Sequence, residues 1–221
     1  MKAMILAAGE GRRMRPLTDD VPKALLPLDG KPMIEWVIER LAGSGVLDLV
    51  INLHHHGDKI EQHLEDGRRL GVTIEYVKEP ELLETGGGIL NALSLLGDAP
   101  FLVVSADAFT DFNFTRLNGK PLDGALGHLV MVDNPPHHPA GDFAVDPSGR
   151  LSLQGERLTY AGISLLAPAL FAGAAPGRFP LRDLLLPAIE AGKLAGEHFR
   201  GQWIDVGTPE RYREAQRMLR S

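Results

Sequence analysis

The 221-residue chain contains no cysteine, which excludes a disulfide framework, a thiolate zinc site and a cysteine nucleophile. No apolar run approaches the roughly 20 residues needed to span a bilayer, and the first residues lack the basic-then-apolar layout of a secretory leader. A soluble, cytoplasmic protein without a membrane partner is therefore expected. Positive charge is not in excess either: 23 Lys and Arg against 29 Asp and Glu give a formal net charge of −6. Such a balance repels nucleic acid, so no nucleic-acid partner is expected. Neither a tandem repeat nor a convincing linker is visible. With 44% hydrophobic residues the chain can bury one sizeable core, and a single domain over residues 1–221 is expected.

What is present is concentrated near the start. Met4 to Ala8 is a short apolar, strand-like run, followed at once by Gly9-Glu10-Gly11-Arg12-Arg13-Met14-Arg15-Pro16-Leu17-Thr18 and then by Pro22-Lys23-Ala24-Leu25-Leu26-Pro27. Glycines let backbone amides approach phosphate oxygens, and arginines add charge and forked donors. This is the layout of a phosphate cradle, although Gly-x-Gly in a basic stretch also occurs in ordinary exposed turns. A dinucleotide fingerprint would need a third glycine where Met14 stands and a helix running through Pro16. A nucleotide-triphosphatase loop would need Gly-Lys-Ser/Thr, but Gly30-Lys31 and Gly119-Lys120 are each followed by proline.

Past the loop, Met33, Ile34, Trp36, Val37, Ile38 and Leu41 recur at helical spacing and stop at Gly43-Ser44-Gly45. Strands are expected over residues 47–53, 72–77 and 101–105. They alternate with helices over 58–64 and from Thr85, the expected cap, through Leu96. Strand-helix alternation of this kind predicts an α/β fold with a doubly wound, mostly parallel Rossmann-like sheet. Ligands then sit outside the carboxyl ends of the strands, where Gly9 and Asp107 fall. In the second half, strands are expected over 126–132, 158–166 and 203–206, a hairpin over 143–153 turning at Pro147-Ser148-Gly149, and a helix over 181–191 interrupted by Pro187. Thr208 and Pro209 open a last helix running through Leu219.

Asp107 and Asp205 each follow an apolar strand-like run, and taken singly either reads as a turn or cap aspartate. Beside a triphosphate cradle they read differently, because magnesium is commonly held by one or two carboxylates plus phosphate oxygens. His54-His55-His56 suggests a metal site only weakly, since adjacent side chains diverge. His137-His138 falls in a proline-rich loop, Asn134 to Gly141, at the same end of the sheet.

Leu6 to Thr18 together with Pro22 to Pro27 resembles the signature of the sugar-1-phosphate nucleotidylyltransferases, and within that family the chain is most similar to the N-acetylmuramate α-1-phosphate uridylyltransferases. Glu84-Thr85-Gly86-Gly87-Gly88 and the loop from Asn134 to Phe143 carry the narrower likeness. The resemblance implies a nucleotide-diphospho-sugar transferase fold, here without the hexapeptide repeats of a C-terminal β-helix. It implies that residues 1–107 bind the nucleotide and residues 108–221 the sugar.

The residue roles implied are these. Ala7, Gly9, Glu10, Gly11, Gly86, Gly87 and Ser105 would contact the nucleoside triphosphate, UTP being favoured. Arg15 and Lys23 would hold its phosphates, and Asp107 and Asp205 would bind Mg2+. Gly141, Asp142 and Gly162 would contact the sugar 1-phosphate. Two departures are visible: Ala106 precedes Asp107 where the family has glycine, and Glu84 to Gly88 stands where many relatives have Leu-Gly-Thr-Ala-Gly. Mannose-1-phosphate guanylyltransferase, glucose-1-phosphate uridylyl- or thymidylyltransferase, a cytidylyltransferase acting on an alcohol phosphate and a non-catalytic sugar-nucleotide sensor are the alternatives.

Overall fold

The computed structural model describes residues 1–219. In chain order the strands and helices are β1 (Lys2–Leu6), β2 (Pro27–Leu28), β3 (Lys31–Pro32), α1 (Met33–Gly43), β4 (Asp48–Leu53), α2 (Gly57–Leu64), β5 (Thr73–Lys78), α3 (Glu84–Leu96), β6 (Phe101–Ser105) and β7 (Ala108–Thr110). They continue as β8 (Gly127–Val132), β9 (Phe143–Val145), β10 (Leu151–Ser152), β11 (Arg157–Leu166), α4 (Arg182–Glu190), β12 (Leu194–His198), β13 (Trp203–Asp205) and α5 (Pro209–Met218). Nine strands form the main sheet. β5, β4, β1 and β6 are parallel neighbours in that order. β11 runs antiparallel to β6 and carries β8 on its other side, with β12 parallel at the edge beyond β8.

Alternating burial explains this sheet. Ala3 and Ile5 of β1 face one apolar layer and Met4 the other; in β6, Leu102 and Val104 oppose Phe101 and Val103. Strands buried on both faces need helices on both faces. Ile34, Val37, Ile38 and Leu41 of α1 and Ile60 and Leu64 of α2 cover one side. Ile89, Ala92 and Leu96 of α3 and Leu185, Ala188 and Ile189 of α4 cover the other. The doubly wound, mostly parallel expectation is borne out, and no β-helix occurs among the described residues.

The short strands β2, β3 and β7 were not anticipated, and two further details differ from the sequence reading. Strand β12 was not anticipated, because Leu194-Ala195-Gly196-Glu197-His198 has little β propensity. Backbone pairing to β8 makes it a strand, and a Cβ on Gly196 would come within 2.7 Å of Leu151. Thr85 does not cap α3; it lies inside the helix, and its Oγ1 accepts the amide of Leu181 at 2.9 Å. The last helix begins as expected, with the Thr208 hydroxyl accepting the amide of Arg211 and Pro209 in the first turn.

Candidate active site

The glycine loop leaves β1 and is closed on itself: Thr18, fully buried, donates its hydroxyl to the Gly11 carbonyl at 2.9 Å. Gly11 has φ +64°, a left-handed conformation that a side chain would strain. A buried polar chain fixes where the loop starts. Asn52, at the end of β4, accepts the Ala7 amide at 2.9 Å and donates to Glu79 at 2.7 Å. Glu79 in turn accepts the Leu83 amide at 3.0 Å, just before α3. Loop and helix start are thus set relative to each other by two side chains, Asn52 and Glu79, that the sequence reading missed. A polar residue inside the apolar run Leu49 to Leu53 was the available signal.

Two adjoining cavities open at this end of the sheet, and a third, of about 270 Å³, shares His137, Asp205 and Arg211 with the larger of them. The smaller of the adjoining two, about 360 Å³, has Ala7, Gly9, Lys23, Asn52, Glu84 and Thr85 in its wall. The larger, about 560 Å³, is bounded by Arg13, Asp142, Tyr160, Gly162, Asp205 and Arg211, among others. Leu6, Thr85, Ser105 and Asp107 belong to both walls. Asp107 therefore stands where the two spaces meet, and the Lys23 ammonium is hydrogen-bonded to it. Asp205 reaches the same place through a short ribbon in which β13 pairs antiparallel with β7, Asp205 opposite Ala108. Its carboxylate is held by Arg211 Nη1 at 2.5 and 2.6 Å.

The expected nucleotide and sugar residues divide. Ala7, Gly9, Lys23, Ser105 and Asp107 line the smaller cavity, while Asp142, Gly162 and Asp205 line the larger. Arg15 lines neither; its side chain is 61% exposed and lies 3.5 Å from Asp19. The arginine of this loop that does reach a cavity wall is Arg13. Glu10 turns instead to Arg12, whose guanidinium holds its carboxyl below the usual range. Gly11 shapes the loop without lining a cavity.

Gly86 and Gly87 were expected to leave backbone open for a flat base, but they are covered. The Phe179 carbonyl accepts both of their amides, at 3.0 and 3.1 Å. A Cβ on Gly86 would meet the Phe179 ring at 2.4 Å, and one on Gly87 the Gly177 carbonyl at 2.1 Å. These glycines serve close packing of the 177–181 strap on α3, and at this helix start it is Leu82, Glu84 and Thr85 that line the smaller cavity. Gly141, with φ +59°, is likewise packed against Asn134 and Arg157 and lines neither cavity.

Side chains around the larger cavity are ordered by one another. Asp142 accepts the Tyr160 amide at 2.9 Å and lies 3.3 Å from His138 and 3.4 Å from Arg182. Burial pushes the Tyr160 phenol up to about 12, and its hydroxyl donates to Ser164 at 2.9 Å. The indole of Trp203 donates to the Ala161 carbonyl at 2.9 Å, tying β13 to β11. His54 meets the Glu79 carbonyl and His56 the Asp19 carbonyl, so this triplet braces loops. Among the described residues no group of three or more histidines or acids could hold a metal ion. No helix among them is long and apolar enough to cross a membrane.

Two carboxylates in the wall of one cavity, one of them shared with the adjoining cavity, with a lysine and arginines around them, suit the transfer of a phosphoryl-type group between two anionic ligands. The comparisons with known proteins agree. Residues 2–145 match the nucleotidyl transferase family model. Over 98% of the chain and 97% of the relative, it is 44% identical to the N-acetylmuramate alpha-1-phosphate uridylyltransferase of Neisseria meningitidis serogroup B. It is 34% identical to the protein of that name from Caulobacter vibrioides, over 94% and 92% of the two chains. The fold matches the crystal structure of HddC from Yersinia pseudotuberculosis complexed with GMP-PN at a TM-score of 0.83, with 23% identity and 99% of each chain covered. The chain belongs to the nucleotidyl transferase family.

Proposed function

We propose that this enzyme transfers a uridylyl group from UTP to N-acetylmuramate α-1-phosphate, giving the UDP-sugar and pyrophosphate. The observation that carries this reading is Asp107, the shared wall of two cavities, one bounded by the glycine loop and the other by β11 and β13. The triphosphate occupies the smaller space, formed mainly by residues 1–107, and the sugar 1-phosphate the larger, formed mainly by residues 108–221. The 44% identity over nearly the whole chain supports the substrate pair. So does Arg182, which sits over the Phe143 ring in the larger cavity and, 47% exposed, lies 3.4 Å from Asp142, a long contact that leaves its other N–H groups for a ligand. Its charge suits the carboxylate that N-acetylmuramate has and that mannose and glucose lack.

The acceptor phosphate has a second pKa near 6 and arrives largely as a dianion, so no general base is needed. Its oxygen attacks the α-phosphorus of UTP in line, the bond to the β-phosphate bridging oxygen breaks, and pyrophosphate leaves. Lys23, in the wall of the smaller cavity, and Arg13, in the wall of the larger, take up charge on the reacting phosphates from either side. Asp107 and Asp205 present hard oxygen donors from adjoining strand ends, a donor set suited to magnesium, which takes one or two carboxylates and completes its shell with phosphate oxygens and water. Bound there, magnesium would neutralise and orient the reacting phosphates.

The test is to incubate the protein with magnesium, N-acetylmuramate 1-phosphate and each of UTP, GTP, dTTP and CTP, and to follow pyrophosphate. Release with UTP supports the proposal. Release only when mannose or glucose 1-phosphate replaces this sugar overturns the substrate, and silence with every pair overturns the reaction.

A further inference from the structure

We infer that Arg211, steadied by His137, grips the phosphate of the sugar 1-phosphate; this rests on the larger cavity being the sugar 1-phosphate site. Arg211 rises from the first turn of α5, and its side chain is only 9% exposed, against 47% for Arg182 in the same wall. It passes over Gly207, where a Cβ would lie 2.3 Å from Nη2. The sequence Gly207-Thr208-Pro209 thus does two things: it caps the helix and leaves a groove for the guanidinium.

The contacts of Arg211 are unevenly distributed. Nη1 alone meets both Asp205 oxygens and His137 Nε2, the last at 2.5 Å. Nε2 of His137 also lies 3.2 Å from Asp205, but with the arginine N–H donating to it the imidazole acts there as an acceptor. Nε and Nη2 have no acceptor among the described residues. A nearly buried guanidinium with one nitrogen saturated and the others unused is pre-set to bind a ligand with several acceptor oxygens, and phosphate matches that fork.

Charge balance points the same way. Asp107, Asp142 and Asp205 all line the larger cavity, and the β11 segment Tyr160-Ala161-Gly162 offers no cation against an incoming dianion. Lys23 is engaged by Asp107 and Arg182 faces Asp142, while Arg13, the third arginine of this wall, is an exposed loop side chain. Arg211 is the cation bonded to Asp205, beside the reacting centre, so a phosphate held by it sits next to Asp205 and within reach of the α-phosphorus. Its helix also explains the location: α5 follows β13 after a short turn, so the cation and the carboxylate are placed by the same segment.

The experiment compares wild type, Arg211→Met, Arg211→Lys and His137→Ala, with UTP and N-acetylmuramate 1-phosphate varied separately and the affinity for Mn2+ measured by titration in the absence of substrate. Loss of a charge-assisted fork predicts that Arg211→Met raises the KM for the sugar 1-phosphate at least ~10-fold, with the UTP KM changed by less than about 2-fold. Arg211→Lys, which keeps charge but not geometry, falls between, and His137→Ala shifts the same constant by a few-fold. Mn2+ affinity stays within about 2-fold of wild type or rises, since a cation competing for Asp205 has been removed. An unchanged sugar 1-phosphate KM in Arg211→Met overturns the inference, as does an equal weakening of UTP and Mn2+, which would make Arg211 a strut for Asp205. Should Arg211→Met fail to fold by circular dichroism, Arg211→Lys and His137→Ala decide by the same criteria. If wild type uses another sugar 1-phosphate, the substrate proposal fails while this test proceeds with that sugar; if wild type uses none, both fall.

Discussion

The amide of Val206 donates to the carbonyl of Asp107 at 2.9 Å, and this bond brings the ends of two strands distant in sequence to one point. Through it the carboxylates of Asp107 and Asp205 address the same region, yet they differ in what else they face: Asp107 borders both adjoining cavities and Asp205 only the larger of the two. Asp107→Asn is therefore expected to weaken UTP binding as well as turnover. Asp205→Asn is expected to lower turnover by on the order of 10²-fold while leaving UTP binding nearly intact. Calorimetric titration with UTP and magnesium, alongside steady-state rates, checks the split; equal losses of UTP affinity in the two variants would refute it.

Arg13 and Arg15 provide a second comparison within one loop. Arg13 lines the larger cavity, whereas Arg15 is exposed and loosely paired with Asp19. Removal of a charge aimed at a reacting phosphate typically costs 10²–10³ in rate, so Arg13→Ala should lose about 100-fold in kcat/KM. Arg15→Ala should stay within roughly 3-fold, as exposed ion pairs contribute little. The reverse ranking in kcat/KM would return the role to Arg15.

Much of this was legible in the sequence and some was not, for identifiable reasons. The parallel core could be read because strands buried on both faces are near-continuous apolar runs, as in Phe101-Leu102-Val103-Val104. Asp107 and Asp205 could be singled out only with the family resemblance, since either alone reads as a turn or cap aspartate. Arg13 and Arg15 could not be ranked, since adjacent loop residues share composition and differ only in the direction a tight turn gives them. Gly86 and Gly87 looked open because a glycine in sequence does not reveal whether a ligand or another segment fills the space it leaves. Here the 177–181 strap does, and nothing near residue 86 foretold it.

Stability should carry a pH signature away from the site. Glu35 on α1 is nearly buried and accepts hydrogen bonds from Arg69 and His63, at 2.5 and 2.7 Å. Burial alone would raise its pKa, but the bonds from Arg69 and His63 outweigh it and the net shift is downward. A carboxyl with a depressed folded pKa adds stability that is present above its unfolded value, about 4.3, and is lost as pH falls through the folded value. Glu35→Gln should therefore lower stability near pH 7 by on the order of 1–3 kcal/mol, a range typical of hydrogen bonds to charged groups. Denaturant melts should show the gap closing below about pH 4. A gap that persists unchanged at pH 3 would mean that the cluster acts through packing alone.

The strap over α3 has a consequence for engineering. Phe179 supplies the carbonyl for the amides of Gly86 and Gly87, Leu181 donates to Thr85, and Arg178 pairs with Glu84 at 2.8 Å. The wall between the two cavities is thus built from both halves of the chain, and no single cut separates one from the other. A chimera joined near residue 107 would set one parent's helix start against another parent's strap, with a carbonyl where a side chain may not enter. A chimera between relatives is expected to fold and turn over only when residues 82–88 and 177–182 come from the same parent, as one cassette.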